Sequence, residues 1–286
     1  MSRQYYITEV FSDGPYSGNQ LATVVDVEGL SDVEMQQIAR AFNFAETTFY
    51  LGGTETDGFR VRIFTPDREL PFAGHPTLGT AFLIKNQIVG FNTNQLVLNL
   101  NVGPIPVTFA ANGVIWMRQN PPEFAAGPTR LEVAQMLGLE ESDIDEDFSS
   151  QLVSTGLEFL IVPLKDLAAL RRSRAIDTGS DIGILAFCAE GYKPEHQIAA
   201  RMFAPGLGVG EDAATGSANG CLAAYLAEHS YLGKSTVDVI VGQGFEIGRP
   251  SALHLKAVKP ASSRQAEFIV EVGGQVNLVS KGDWLL

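Results

Sequence analysis

Glu46 lies in the run Phe42-Asn43-Phe44-Ala45-Glu46-Thr47-Thr48-Phe49-Tyr50, a carboxylate among aromatic and apolar neighbours. Such surroundings either raise the proton affinity of an acid or supply it with dedicated hydrogen-bond donors. A raised affinity suits a group that takes and returns a proton. The other reading is a solvent-facing glutamate on an edge strand. A second acid, Asp212, precedes Ala213-Ala214-Thr215-Gly216-Ser217. It either orients a polar substrate group or folds back onto loop amides, as aspartate does near helix entries.

Two glycine-led segments read as helix starts: Gly74-His75-Pro76-Thr77-Leu78-Gly79 and Gly216-Ser217-Ala218-Asn219-Gly220. Pro76 suits a first helical turn, where its missing N–H would have no partner anyway. His75 then falls at the cap of the first helix, and Thr215 or Ser217 caps the second. A helix start offers unpaired N–H groups and the positive end of the dipole, so two of them facing each other would hold a carboxylate without an arginine. Glycine at Gly74 and Gly216 lets a ligand approach the backbone. Ordinary capped helices packed under a sheet are the alternative.

The elements that carry these groups are short. Period-two alternation predicts strands at 60–64, 96–100, 114–117, 236–241 and 268–272, and one at the amino terminus over 1–9. Gly273-Gly274 predicts a tight hairpin into 275–279. Ser31 with Glu34, and Thr129 with Glu132, have capping-box spacing, and Gly138 marks where the second of these helices stops. Ala218, Cys221, Leu222, Tyr225 and Leu226 trace an amphipathic stripe.

The two helix starts also belong to an internal echo. Arg62-Ile63-Phe64-Thr65-Pro66 matches Arg201-Met202-Phe203-Ala204-Pro205, and each is followed by a loop, a glycine and an apolar helix. Two similar lobes follow, an amino-terminal one over 1–120 and a carboxy-terminal one over 128–286, with the proline-rich stretch 119–128 as the crossing. The last strand belongs to the second lobe or returns to the first. Arg62 and Arg201 line a cleft or pair with acidic groups; periodicity does not separate the two.

Composition bounds the function. A formal net charge of -13 on 286 residues argues against nucleic-acid or anionic-membrane binding, which needs a basic surface. The two cysteines, Cys188 and Cys221, sit in apolar settings without Cys-x-x-Cys spacing and read as buried reduced thiols. No stretch is long and apolar enough to span a membrane, so a cytoplasmic location is expected. Gly206-Leu207-Gly208-Val209-Gly210-Glu211 fails as a dinucleotide loop, because Glu211 would face the pyrophosphate. Ser217 lacks the Gly-x-Ser-x-Gly frame of a hydrolase elbow. The four histidines form no local ligand pair, so no metal is expected.

Longer blocks resemble a known family. Gly14-Pro15-Tyr16-Ser17-Gly18-Asn19-Gln20-Leu21-Ala22-Thr23-Val24, Ala45-Glu46-Thr47, Glu69-Leu70-Pro71-Phe72-Ala73-Gly74-His75-Pro76-Thr77-Leu78-Gly79-Thr80-Ala81 and 211–220 are similar to the PhzF-like isomerases of phenazine biosynthesis. The resemblance covers essentially the whole chain. It implies an α/β (α+β) fold of diaminopimelate epimerase type: two pseudo-symmetric lobes, each a curved, mostly antiparallel sheet around a central helix, with the active site between them. It also implies a homodimer that needs no metal or organic cofactor and takes a small anionic metabolite.

Carried over residue by residue, Glu46 matches the general acid/base. His75, Asp212 and Ser217 match polar catalytic groups, and Gly74, Thr215 and Gly216 line the substrate. The implied reaction is a proton shift like that of trans-2,3-dihydro-3-hydroxyanthranilate isomerase. Related epimerases place a cysteine on each face of the substrate, and Ala73-Gly74-His75 and Ala214-Thr215-Gly216 offer none. Gln20 and Ala213 stand where the family more often has proline, which alters loop stiffness or pocket shape. The alternatives are a non-catalytic small-acid binding protein, or a racemase or epimerase of an amino-acid-like substrate. A regulatory dimer with a vestigial pocket is a third.

Overall fold

The structure, a computed structural model, describes residues 2–90, 92–176, 179–260 and 267–285. Met1 of the expected first strand, and Leu286, lie outside them. The chain divides into two compact units, Met1–Arg118 with Gly273–Leu286, and Gln119–Val272.

The first unit contains β1 (Ser2–Val10), β2 (Asn19–Val24), α1 (Asp32–Phe42), β3 (Glu46–Thr54), β4 (Gly58–Phe64), β5 (Glu69–Leu70), α2 (Gly74–Leu83), β6 (Gln95–Leu100), β7 (Gly103–Phe109) and β8 (Ile115–Arg118). The second contains β9 (Glu123–Ala126), α3 (Arg130–Leu137), β10 (Gln151–Ser154), β11 (Glu158–Pro163), α4 (Leu167–Arg172), β12 (Gly183–Cys188), β13 (Ile198–Ala204), β14 (Val209–Asp212), α5 (Gly216–Glu228), β15 (Thr236–Gln243), β16 (Ser251–Val258) and most of β17 (Ile269–Gly274). The last strand, β18 (Val276–Leu285), pairs antiparallel with β1, Ser2 opposite Leu285 and Val10 opposite Val276, and so returns to the first unit.

Pairing inside each unit repeats strand for strand. In the first, β1–β2 is antiparallel, β2–β3 parallel, β3–β4 antiparallel, β4–β6 parallel and β6–β7 antiparallel. In the second, β10–β11, β11–β12, β12–β13, β13–β15 and β15–β16 follow the same sequence of directions. The short strands β5 and β14 pair back onto β4 and β13. Even the incoming strands correspond, β18 on β1 and β9 on β10. The echo around Arg62 and Arg201 is the local trace of this duplication.

Each sheet wraps a helix with little polar surface. α2 packs on β1, β2, β3 and β8, and at Gly79 a Cβ would come within 2.6 Å of Leu21 Cδ2 and 2.9 Å of Val10 Cγ2, so only glycine permits that approach. α5 packs on β10, β11, β12, β15 and β16 and is buried on every face from Gly216 to Ala227. The stripe read as amphipathic is therefore one side of a fully buried helix, whose other side is built from small residues that fit inside the sheet. By contrast α1 buries only Met35, Ile38 and Ala39, beside Phe49 and Phe64, and exposes its polar face.

Both capping boxes form, at Ser31/Glu34 and Thr129/Glu132, and Gly138 takes the left-handed conformation that ends α3. Gly273-Gly274 does not make the expected hairpin. Neither glycine has positive φ, and a Cβ on Gly273 would lie 2.6 Å from the Trp116 ring. The glycine makes room for that indole inside an extended strand, which the pattern alone could not distinguish from a turn.

Candidate functional site

In the first unit, Glu46 opens β3, with Leu21 of β2 on one side in a parallel ladder and β4 beyond Thr47 on the other. It is not on an edge strand, and it is half-buried. Its Oε2 lies 3.4 Å from Nε2 of His75. His75 is the second residue of α2, not its cap: the N-cap is Ala73, which has no side chain to bond the helix amides. The helix begins two residues earlier than the sequence suggested because Gly74 and His75 already belong to its first turn, and His75 is buried. Burial pulls the imidazole pKa down to about 3, against the opposing pull of a hydrogen bond to the Gln20 backbone. His75 is thus a neutral ring at physiological pH.

What fixes Glu46 near His75 is a set of buried hydroxyls. Thr48 Oγ1 lies 2.7 Å from Thr23 Oγ1 and 2.9 Å from Thr80 Oγ1, which ties β2, β3 and α2 together. Thr77 Oγ1 donates to Ala73 O at 2.7 Å and closes the first turn of α2 from within. Sequence reading missed this set because threonine in a strand is ordinarily a matter of β propensity.

In the second unit, Asp212 ends β14 and Thr215 is the N-cap of α5. Thr215 makes no side-chain bond to the helix amides. Its hydroxyl instead donates to Asp212 Oδ2 at 2.5 Å. Gly216 and Ser217 form the first turn. Asp212, Thr215, Gly216 and Ser217 therefore come together, as do Gly74, His75 and Glu46 in their own unit. Beneath Thr215 lies Gln243, a fully buried residue at the end of β15 that sequence reading missed. The signal for it was the pair of glycines, Gly242 and Gly244, that brackets it.

Four of the five α-helices among the described residues sort into two kinds; the fifth, α4, is capped by the Asp166 side chain, which accepts from Ala169 N. α1 and α3 carry capping boxes and acids in the first turn, Asp32 and Glu34 in one and Glu132 in the other. α2 and α5 have neither a side-chain cap nor an acid in the first turn. Their leading amides, unlike those of α1 and α3, receive no bond from the cap side chain, and no first-turn acid faces their positive dipole ends.

The chain has relatives among known proteins. The family model described as phenazine biosynthesis-like protein matches residues 8–282. A protein named trans-2,3-dihydro-3-hydroxyanthranilate isomerase from Pseudomonas chlororaphis is 36% identical over 261 residues, covering 88% of this chain and 90% of the relative. One of the same name from Pseudomonas aeruginosa is 33% identical and covers 98% of both chains. The crystal structure of a Bacillus anthracis phenazine biosynthesis protein of the PhzF family matches over 100% of both chains, with a TM-score of 0.90 and 28% identity. Among the described residues no helix is long and apolar enough to cross a membrane.

Proposed function

Because this chain belongs to the phenazine biosynthesis-like family and is an isomerase, we propose that it moves a proton on a small carboxylate-bearing metabolite, with Glu46 as general acid and base. The observation that carries this reading is Glu46 Oε2 held 3.4 Å from a neutral, buried His75. An imidazolium there would lock Glu46 as a carboxylate. A neutral ring leaves the glutamate free to hold a proton and to release it, as a shift between two carbons requires.

The remaining residues serve recognition in this reading. Each unit offers its own groups: the helix start at Gly74 with His75 in the first, and the helix start at Gly216 with Asp212, Thr215 and Ser217 in the second, suit a carboxylate and amino or hydroxyl groups. The compound in the relatives' name, trans-2,3-dihydro-3-hydroxyanthranilate, carries all three kinds of group, so we propose a substrate of that class. We further propose a cytoplasmic homodimer, which light scattering at twice the chain mass would support.

The test is incubation of trans-2,3-dihydro-3-hydroxyanthranilate, and of a panel of unsaturated amino and hydroxy acids, in deuterated water with mass detection. One compound should gain carbon-bound deuterium, and Glu46→Gln should slow that gain by about 10²- to 10⁴-fold. Undiminished exchange in the variant, or tight binding without exchange, would overturn the reading; the second outcome would favour a binding protein.

A further inference from the structure

Gln243 is buried completely, yet each of its amide atoms is engaged. Its Nε2 donates to Asp212 O at 3.0 Å and to Thr215 Oγ1 at 3.3 Å. Its Oε1 accepts from Asn219 Nδ2 at 2.8 Å and from Thr215 N at 3.5 Å. Asn219 Nδ2 also donates to Thr215 O at 3.0 Å. Backbone carbonyls only accept, so the Asp212 and Thr215 carbonyls fix which end of each amide is nitrogen. The direction of every bond follows. Asn219 donates to Gln243, Gln243 donates to one lone pair of the Thr215 hydroxyl, and that hydroxyl gives its single proton to Asp212 Oδ2 at 2.5 Å. That length is at the short end for a hydroxyl donating to a carboxyl oxygen.

We infer that Gln243 is a positioning residue for the substrate-recognition end of the site: through Thr215 it holds Asp212 as an oriented hydrogen-bond acceptor, which selects substrates presenting a donor there. The backbone around it is shaped for that task. Gly244 has φ +78°, and a Cβ on it would lie 2.6 Å from Ala213 O, so the end of β15 presses directly on the loop that carries Asp212. Gln243 and Asn219 are both fully buried. Gln243 reaches Asp212 directly at its backbone oxygen, and reaches its carboxylate only through the Thr215 hydroxyl. The selectivity for a donor rests on the proposed role of Asp212; the direction of the chain of bonds does not.

Gln243→Glu keeps the shape but puts a second acceptor where Nε2 donates, so the Thr215 hydroxyl must turn toward residue 243 and away from Asp212. Thr215→Val removes the link between them. With trans-2,3-dihydro-3-hydroxyanthranilate as the probe, Gln243→Glu should lower kcat/KM by about 10- to 100-fold, the value of a charge-assisted hydrogen bond. In the Thr215→Val background the same change should add much less than it costs alone, because residue 243 reaches the Asp212 carboxylate only through the Thr215 hydroxyl. Losses that simply multiply would overturn the inference and leave Gln243 with a structural role.

If the wild-type chain does not turn over that acid, the failure lies with the proposed substrate class, and a crystal structure of Gln243→Glu decides instead. Thr215 Oγ1 turned away from Asp212 in an otherwise intact α5 would support the inference. The Thr215–Asp212 bond retained in that variant would overturn it.

Discussion

Arg201 holds Glu211 with two donors on one edge of its guanidinium, Nε to Oε1 at 3.0 Å and Nη2 to Oε2 at 2.6 Å, while Nη1 turns to the carbonyls of Leu170 and Arg171 at the end of α4. Arg62 repeats the fork on Glu69, both bonds at 2.7 Å. Each guanidinium also lies over the phenylalanine two residues on, 4.9 Å from the Phe203 ring centre and 5.1 Å from that of Phe64. The duplicated pentads are thus duplicated anchors for the loops that lead to α5 and α2.

The two anchors differ in burial, and that sets the first prediction. Arg201 and Glu211 are both about nine-tenths buried, whereas Arg62 and Glu69 are each more than a fifth exposed. Arg201→Met leaves Glu211 charged and unpaired in the interior and should cost about 3–5 kcal/mol. Arg62→Met should cost about 1 kcal/mol. Urea denaturation of the two variants measures the difference, and equal costs would contradict it. Lysine should not rescue Arg201, since a single ammonium cannot fork.

His75 makes stability depend on pH. Its folded pKa of about 3 lies below the ordinary 6.5 because burial disfavours the imidazolium. Between those values the unfolded chain binds a proton that the folded one refuses. Stability is therefore full above about pH 6.5 and falls as the pH drops toward 3, by at most about 1.4 kcal/mol per pH unit from this residue. His75→Gln should flatten the dependence of the urea midpoint on pH between 6 and 4 relative to wild type. Parallel curves would show that His75 titrates freely.

Gly244 and Gly248 both have left-handed backbone, φ +78° and +71°. An added Cβ at Gly244 would press on the Arg249 carbonyl oxygen and approach Ala213 O to 2.6 Å; at Gly248 it would meet nothing within 4 Å. Gly248→Ala should cost about 1 kcal/mol from backbone strain alone. Gly244→Ala should cost more, and it should lower kcat/KM as well, because Ala213 adjoins Asp212. Chemical denaturation with parallel kinetics separates the two effects, and equal costs would remove the argument for a pressed loop.

These positions also show what the sequence could and could not disclose. The caps at Ser31/Glu34 and Thr129/Glu132 were legible because they close over three residues of chain. The helices near Gly74 and Gly216 were legible from a glycine followed by an apolar run, although the first is capped at Ala73 and not at His75; the echo was legible because duplication preserves local order. Gln243 was not, because its partner Thr215 lies 28 residues away and no local pattern links them. Nor was the role of Gly273, where glycine admits the Trp116 ring instead of turning the chain. The place of Glu46 was not legible either, because the pairing of β3 with β2 and β4, which takes it off an edge strand, joins segments distant in the chain.

The cysteines supply the remaining prediction. Burial pushes both thiols up, Cys188 to about 11 and Cys221 to about 11. At pH 8 roughly one molecule in a thousand then carries the thiolate at either position, too few for a nucleophile or a base. Cys221 lies inside α5, where its Sγ is 3.7 Å from both Thr155 Oγ1 and Leu157 O. Cys188→Ala and Cys221→Ala should therefore keep wild-type kcat/KM while losing about 1 kcal/mol of stability to the small cavity each leaves. Iodoacetamide applied to the folded protein should leave exchange intact. Rapid inactivation by the reagent, matched by loss of exchange in either alanine variant, would instead show proton transfer through a thiol and would displace Glu46 from its proposed role.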